Sequence, residues 1–187
     1  MALEHGGAME LVELLRARKG AILARCFDLT AGTYPDETAS FLKSEADPFA
    51  NPVGRALREA LEGLLRALIE GGTSADFRQA LEEFLRIRAV QTPRASEALA
   101  FMGFLRRAIR DEVEAEAARI GGADRLRAAY LGMEDRIGEA VLVACDLYVE
   151  SRRRIDEVRI NEVKAREERL SRMLLAVQGQ SGEKSHG

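Results

Sequence analysis

The chain reads as an all-α protein, and three observations say so. Ala, Leu, Arg and Glu, all strong helix formers, dominate its 187 residues. Apolar side chains recur at spacings of three and four, the period of a helix with one buried face. Cap-and-proline pairs and double glycines then divide the pattern into segments.

Residues 1–8 are expected to be a flexible start. The first helix is expected from about Met9 to Thr33, with Leu11, Leu15, Ile22, Cys26 and Leu29 inward and Leu14 beside them. Tyr34-Pro35 ends it, because a residue before proline is pushed out of the helical region. Residues 36–50 form a connector with one helical turn around Thr38 to Lys43. Asn51 and Pro52 supply an N-cap and a first helical residue. The stripe that follows is Val53, Leu57, Ala60, Leu61, Leu64, Leu65 and Leu68, and Gly71-Gly72 ends it. The next helix begins at Ser74, with Asp76 near its positive end and Phe77, Leu81, Phe84 and Leu85 inward.

Thr92-Pro93 repeats the cap-plus-proline signal and predicts another helix, with Leu99, Met102, Leu105, Ile109, Val113 and Ile120 inward. It stops at Gly121-Gly122. A long stretch, about 123–177, follows as one helix or two. Its first half is richly apolar, through Leu126, Tyr130, Ile137, Val141, Cys145 and Tyr148. From Glu150 to Arg172 both charge signs crowd together. Within that part Ile160, Val163, Glu167, Leu170, Leu174 and Val177 alternate by three and four, a short coiled-coil seam with one polar break. The first half belongs in the core, and the second is expected to leave it. The expected organisation is a single helical domain over 9–178 with a disordered tail at 179–187.

Composition bounds the function. An apolar fraction of 47% and a charged fraction of 32% describe a folded, well-solvated protein. A net charge of −3 gives no general attraction to phosphate. Arg152, Arg153, Arg154, Arg159, Lys164 and Arg166 could serve a nucleic-acid binder, but Asp156, Glu157, Glu162, Glu167 and Glu168 interleave them. No nucleic-acid binding is expected. The N-terminus shows no secretion signal, and no apolar run is long enough to span a bilayer. The expected location is the cytoplasm, without membrane insertion, where Cys26 and Cys145 would be reduced and buried.

Catalytic and metal constellations are missing. The two histidines, His5 and His186, lie in the terminal segments. A histidine triad, a Glu-x-x-His di-iron bundle and a histidine-ligated haem all need an imidazole held in the core. No Cys-x-x-Cys pair or glycine-rich phosphate loop is present. Asp111, Glu112, Glu114 and Glu116 spread around a helix and read as a solvated face. No cofactor, no metal and no enzymatic activity are expected. Arg86 and Arg88 lie about 200° apart on a helix, so one faces solvent and the other approaches the core. A partly buried arginine there would pair with a carboxylate or bind an anion.

Three stretches carry a resemblance: TYPDETASFLKSEADPFANPVG at 33–54, FLRIRAVQTPRASEALAF at 84–101 and ACDLYVESRRRIDEVRINEVKAR at 144–166. In these the chain resembles the RsbRD N-terminal domain family, the sensor region of RsbT co-antagonist proteins. The resemblance implies a globin-like, haem-free helical fold that dimerises. In the co-antagonists it also implies a phosphorylatable domain downstream within a stress-signalling assembly; here no such domain is expected after the long helix. The resemblance brings no catalytic residues with it.

The sequence thus points to a standalone regulatory or sensory interaction module. It is expected to form a homodimer and to offer the charged helix to an unidentified protein. The candidate interaction residues are Arg86, Arg88, Arg153, Ile160, Val163, Leu170 and Leu174. The alternative is a small-ligand-binding helical domain with a pocket lined by Phe, Met and Leu.

Overall fold

The structure, a computed structural model, describes residues 2–43, 51–92, 94–120 and 123–183, and side chains at 6–43, 51–92, 94–120 and 124–173. Among the described residues there are six helices and no strand, and 93% of those residues are helical. In order they are α1 (Ala2–Ala31), α2 (Asp36–Lys43), α3 (Pro52–Glu70), α4 (Ser74–Gln91), α5 (Ala95–Arg119) and α6 (Ala123–Glu183). The chain divides into two compact units, Met1–Val149 and Glu150–Gly187.

Helix α3 stands at the centre of the first unit. It packs against α4 on one side and α1 on the other, and α1 in turn packs against α5. Leu57, Leu61, Leu64, Leu65 and Leu68 are all buried in that seat. Each such burial stabilises by roughly 1.5–3 kcal/mol. Phe77, Leu81, Phe84 and Leu85 face them from α4, and Phe84 meets Phe101 of α5 edge-on at 5.1 Å between centroids. From α6, residues Leu126, Tyr130, Met133, Ile137, Ala140, Ala144 and Leu147 complete the core.

The ends of α3 are built by the residues the sequence nominates. Asn51 precedes the helix and its Oδ1 accepts a hydrogen bond from the Gly54 N–H at 2.9 Å, with Pro52 opening the first turn. The same amide works on a second element. Its Nδ2 donates to the carbonyls of Leu42 at 2.9 Å and Phe41 at 3.1 Å, so one buried side chain starts α3 and ties down the end of α2. At the other end Gly71 adopts φ 77°, the left-handed region that favours glycine. The turn into α4 is then held by Asp76, whose carboxylate accepts from the Thr73 N–H at 2.7 Å and the Thr73 hydroxyl at 2.8 Å. Those bonds keep the Asp76 carboxyl below its usual pKa range.

Several expectations need correction. The first helix begins at Ala2, not near Met9. Gly7 is buried there, and a Cβ on it would stand 2.7 Å from the Arg125 carbonyl oxygen, so α1 starts in close contact with the start of α6. The helix stops at Ala31, and Leu29 is half-buried. The connector holds a two-turn helix, α2, whose Leu42 is buried. Thr92 is not an N-cap: it ends α4, its N–H bonding to the Arg88 carbonyl, and α5 starts three residues later. Cys26 is buried, but Cys145 is partly exposed. The last stretch is one helix that continues past Val177 to Glu183. The Gly121-Gly122 stop and residues 184–187 lie outside the described residues.

The double duty of Asn51 gives a measurable consequence. Asn51→Ala should lower stability by about 2 kcal/mol, more than an ordinary cap, because the Leu42 carbonyl loses a buried donor as well. Urea unfolding measures it; a change below about 0.5 kcal/mol would show that the side chain holds neither helix.

Candidate functional site

Two places hold the candidate residues. One is the junction of α4 and α5 in the first unit; the other is the second unit itself.

At the junction the helical spacing separates the two arginines as their phases require. Arg86 is exposed and Arg88 is buried. Arg88 does not meet a carboxylate at ion-pair distance among the described residues. Its guanidinium lies over the ring of Tyr34 at 4.7 Å, donates to the Glu97 carbonyl at 2.8 Å and reaches Gln91 Oε1 at 3.3 Å. Tyr34 donates its hydroxyl proton to the same Gln91 oxygen at 3.0 Å. Planar stacking and a forked set of donors are what arginine offers and lysine does not. Burial pushes the Tyr34 phenol upward in pKa, and the neighbouring Arg88 charge opposes it.

The turn below is fastened by side chains. Thr92 Oγ1 donates to the Glu97 carboxylate at 2.7 Å and accepts from the Arg94 N–H at 3.2 Å. The Thr92 and Arg94 side chains hold the Glu97 carboxyl below its usual range. The Thr92 carbonyl accepts from the Tyr148 hydroxyl at 2.9 Å, which links this turn to α6. Arg88 therefore cross-braces four elements, the α1–α2 turn, α4, α5 and, through Thr92, α6. Sequence reading found the arginine but not Tyr34 beneath it or the bond from Tyr148 to the Thr92 carbonyl, since Tyr34 and Tyr148 are 114 residues apart and no local pattern joins them to this turn.

The acidic run on α5 also has a use that spacing did not reveal. Asp111 pairs with Arg25 at 2.6 Å, Glu112 with Arg18 at 3.5 Å and Glu114 with Arg127 at 2.8 Å, so these acids stitch α5 to α1 and α6. Among the described residues no group of three or more His, Cys, Asp and Glu is placed to hold a metal ion. Burial raises the Cys26 thiol from its ordinary 9.0 to about 12, outweighing a bond from Thr30, so this cysteine stays protonated and unreactive in the fold. A groove of about 290 Å³ opens between α1 and α3, floored by Leu23, Phe27 and Leu61 and crossed by Arg58, which stacks on Phe27 at 4.5 Å. No described helix is long and apolar enough to cross a membrane.

In the second unit every described side chain from Asp156 to Met173 is exposed. Ile160, Val163 and Leu170 are 53%, 56% and 53% exposed, as are Val158 and Met173 to similar extents, which is unusual for one helix. Arg153 is exposed as well. The side chain of Leu174 lies outside those described. The structure thus brings Arg86 and Arg88 to one helix end and sets the remaining candidates along one segment of α6.

Arg88 should behave as a brace and Arg86 as a surface charge. Arg88→Ala should cost about 2–4 kcal/mol, because it removes the bond that ties α4 to the Glu97 carbonyl of α5 and empties the space over Tyr34, while Arg86→Ala should stay within about 0.5 kcal/mol of wild type. Denaturant melts of both variants check this; equal effects would remove Arg88 from its bracing role.

Comparison with known proteins agrees with this all-helical architecture. No curated protein and no solved structure matches the chain. A family model does: the RsbT co-antagonist protein rsbRD N-terminal domain, over residues 20–163. That match includes the whole α4–α5 junction and the first part of the second unit. The family has a globin-like fold without haem and is of the sensory or regulatory, stress-signalling kind. The chain belongs to the RsbRD N-terminal domain family.

Proposed function

We propose that this protein is a non-catalytic, cytoplasmic sensory or regulatory module that works as a homodimer and presents its second unit to a protein partner. The observation that supports the reading is the apolar seam of Ile160, Val163 and Leu170 on a segment whose described side chains are exposed on every side from Asp156 onward. Covering such a stripe is worth roughly 1.5–3 kcal/mol for each Leu or Ile buried, and a second helix is the simplest cover. The mixed charges beside it, among them Arg153, Arg159, Glu162 and Arg166, would select the partner's register. The family's stress-signalling character supports a regulatory reading over an enzymatic one.

Light scattering on the purified chain at micromolar concentration tests this. The expected result is twice the mass of 20.6 kDa, falling to a folded monomer in Val163→Glu and Leu170→Glu. A wild-type monomer would reject the homodimer.

A further inference from the structure

The first unit carries a patch whose charge opposes that of the chain. Helices α1 and α5 pack together, and Arg18, Arg25, Arg107 and Arg110 are exposed along their seam. Three guanidinium groups gather there around one carboxylate. Arg25 pairs with Asp111 at 2.6 Å, while Arg110 stands at 3.6 Å and Arg107 at 4.0 Å from the same group. The cluster holds two more positive charges than negative, on a chain whose formal net charge is −3. Neighbouring acids do not restore the balance, because each has an arginine of its own: Glu112 has Arg18, Glu114 has Arg127 and Glu134 has Arg106.

Arg107 and Arg110 are the loose members. Their side chains are 60% and 52% exposed, and both stand beyond hydrogen-bond reach of Asp111. Three positions apart on α5, they share one side of the helix, and like charges so placed repel. Gly103 lies one turn before Arg107 on that side. It is exposed, with nothing within 4 Å of where a Cβ would be, so the approach beside Arg107 is open. Guanidinium groups are forked donors that take a carboxylate by two bonds at once. Acids three or four positions apart on a helix stand about 5–6 Å from each other at Cβ, the spacing at which Arg107 and Arg110 are set on α5.

We propose that the α1–α5 seam is a docking surface for an acidic helix of another protein, whose Asp or Glu side chains, three or four positions apart, bond to Arg107 and Arg110. Such a partner removes the repulsion between the two arginines. The Arg25 bond partly neutralises Asp111, so the incoming carboxylates meet little opposing charge. Nucleic acid and anionic membranes are also negative, but they fit less well. Their attraction grows with the number of phosphates neutralised, and here the excess is two charges with Glu112, Glu114 and Glu134 close by. The surface lies on other helices than the seam of the second unit, so it does not depend on the homodimer proposed above.

The probe is a fluorescent, alanine-based helical peptide with Glu at every fourth position, titrated with the full-length protein and read by anisotropy. It should bind, and more weakly as salt rises, because exposed ion pairs are screened. The same peptide with Gln in place of Glu should not bind. Arg107→Gln combined with Arg110→Gln should weaken binding by about tenfold while leaving the melting temperature unchanged, since both side chains are exposed. Arg153→Gln combined with Arg154→Gln takes the same two charges from the second unit and should change binding by less than about twofold. Equal losses in the two double variants would show general attraction to any basic segment and overturn the proposal. A wild-type chain that ignores the Glu peptide overturns it as well. Duplex DNA or phosphatidylserine vesicles held more tightly than the peptide, and released by the Arg107 and Arg110 changes, would give the patch to nucleic acid or membrane instead.

Discussion

Helix α6 carries apolar side chains on more than one face, and that constraint organises the molecule. A helix that serves one core needs one apolar stripe. Between Leu126 and Val149 this helix has two: a set that closes the first unit, and Leu131, Leu142 and Val149 on the opposite side. Asp135, Glu139 and Asp146, exposed beside the second stripe, keep it in contact with water. In the second unit the same helix again exposes Ile160, Val163 and Leu170. A surface of this kind is stable in isolation but gains most from a partner.

The first unit is arranged so that its face of α6 is held firmly. Arg106 and Glu134 pair at 2.9 Å, Arg127 pairs with Glu114, Arg136 reaches the end of α3, and Tyr148 hangs on the Thr92 carbonyl. Most of these ion pairs are solvent-exposed and individually weak. The buried contacts matter more, and two polar side chains organise them: Asn51 joins α2 to α3, and Arg88 joins α4 and α5 to Tyr34. Both are nearly inaccessible to water, and both donate to backbone carbonyls of a neighbouring helix, Asn51 to those of Leu42 and Phe41 and Arg88 to that of Glu97. A perturbation at the α4–α5 turn has a short physical route to α6, through Thr92 and Tyr148.

Much of this was legible in the sequence because it is local. The leucine stripe of α3, the Asn51-Pro52 start, the Gly71 stop and the opposite fates of Arg86 and Arg88 follow from helical phase and cap chemistry. What escaped reading depends on distant pairing. Gly7 looked like part of a loose end because nothing nearby in sequence shows that Arg125 lies against it. Thr92-Pro93 resembled Asn51-Pro52, yet the threonine is engaged by Arg88 behind it and Glu97 ahead, so it closes one helix instead of opening the next. The acidic run at 111–116 spreads around a helix, and only the fold reveals arginines waiting on two sides. Leu131 and Leu142 were passed over because an apolar residue in an apolar stretch is read as core; period alone does not say which of two stripes faces inward.

The central claim is that α6 beyond the first unit is covered by another chain. Amide exchange along α6, followed from high to low protein concentration, tests it most directly, since an isolated helical segment exchanges quickly and a paired one does not. Protection at residues 156–173 that falls on dilution, while α3 around Leu61 to Leu65 stays protected throughout, is the predicted result. Rapid exchange at 156–173 at every concentration would contradict the account.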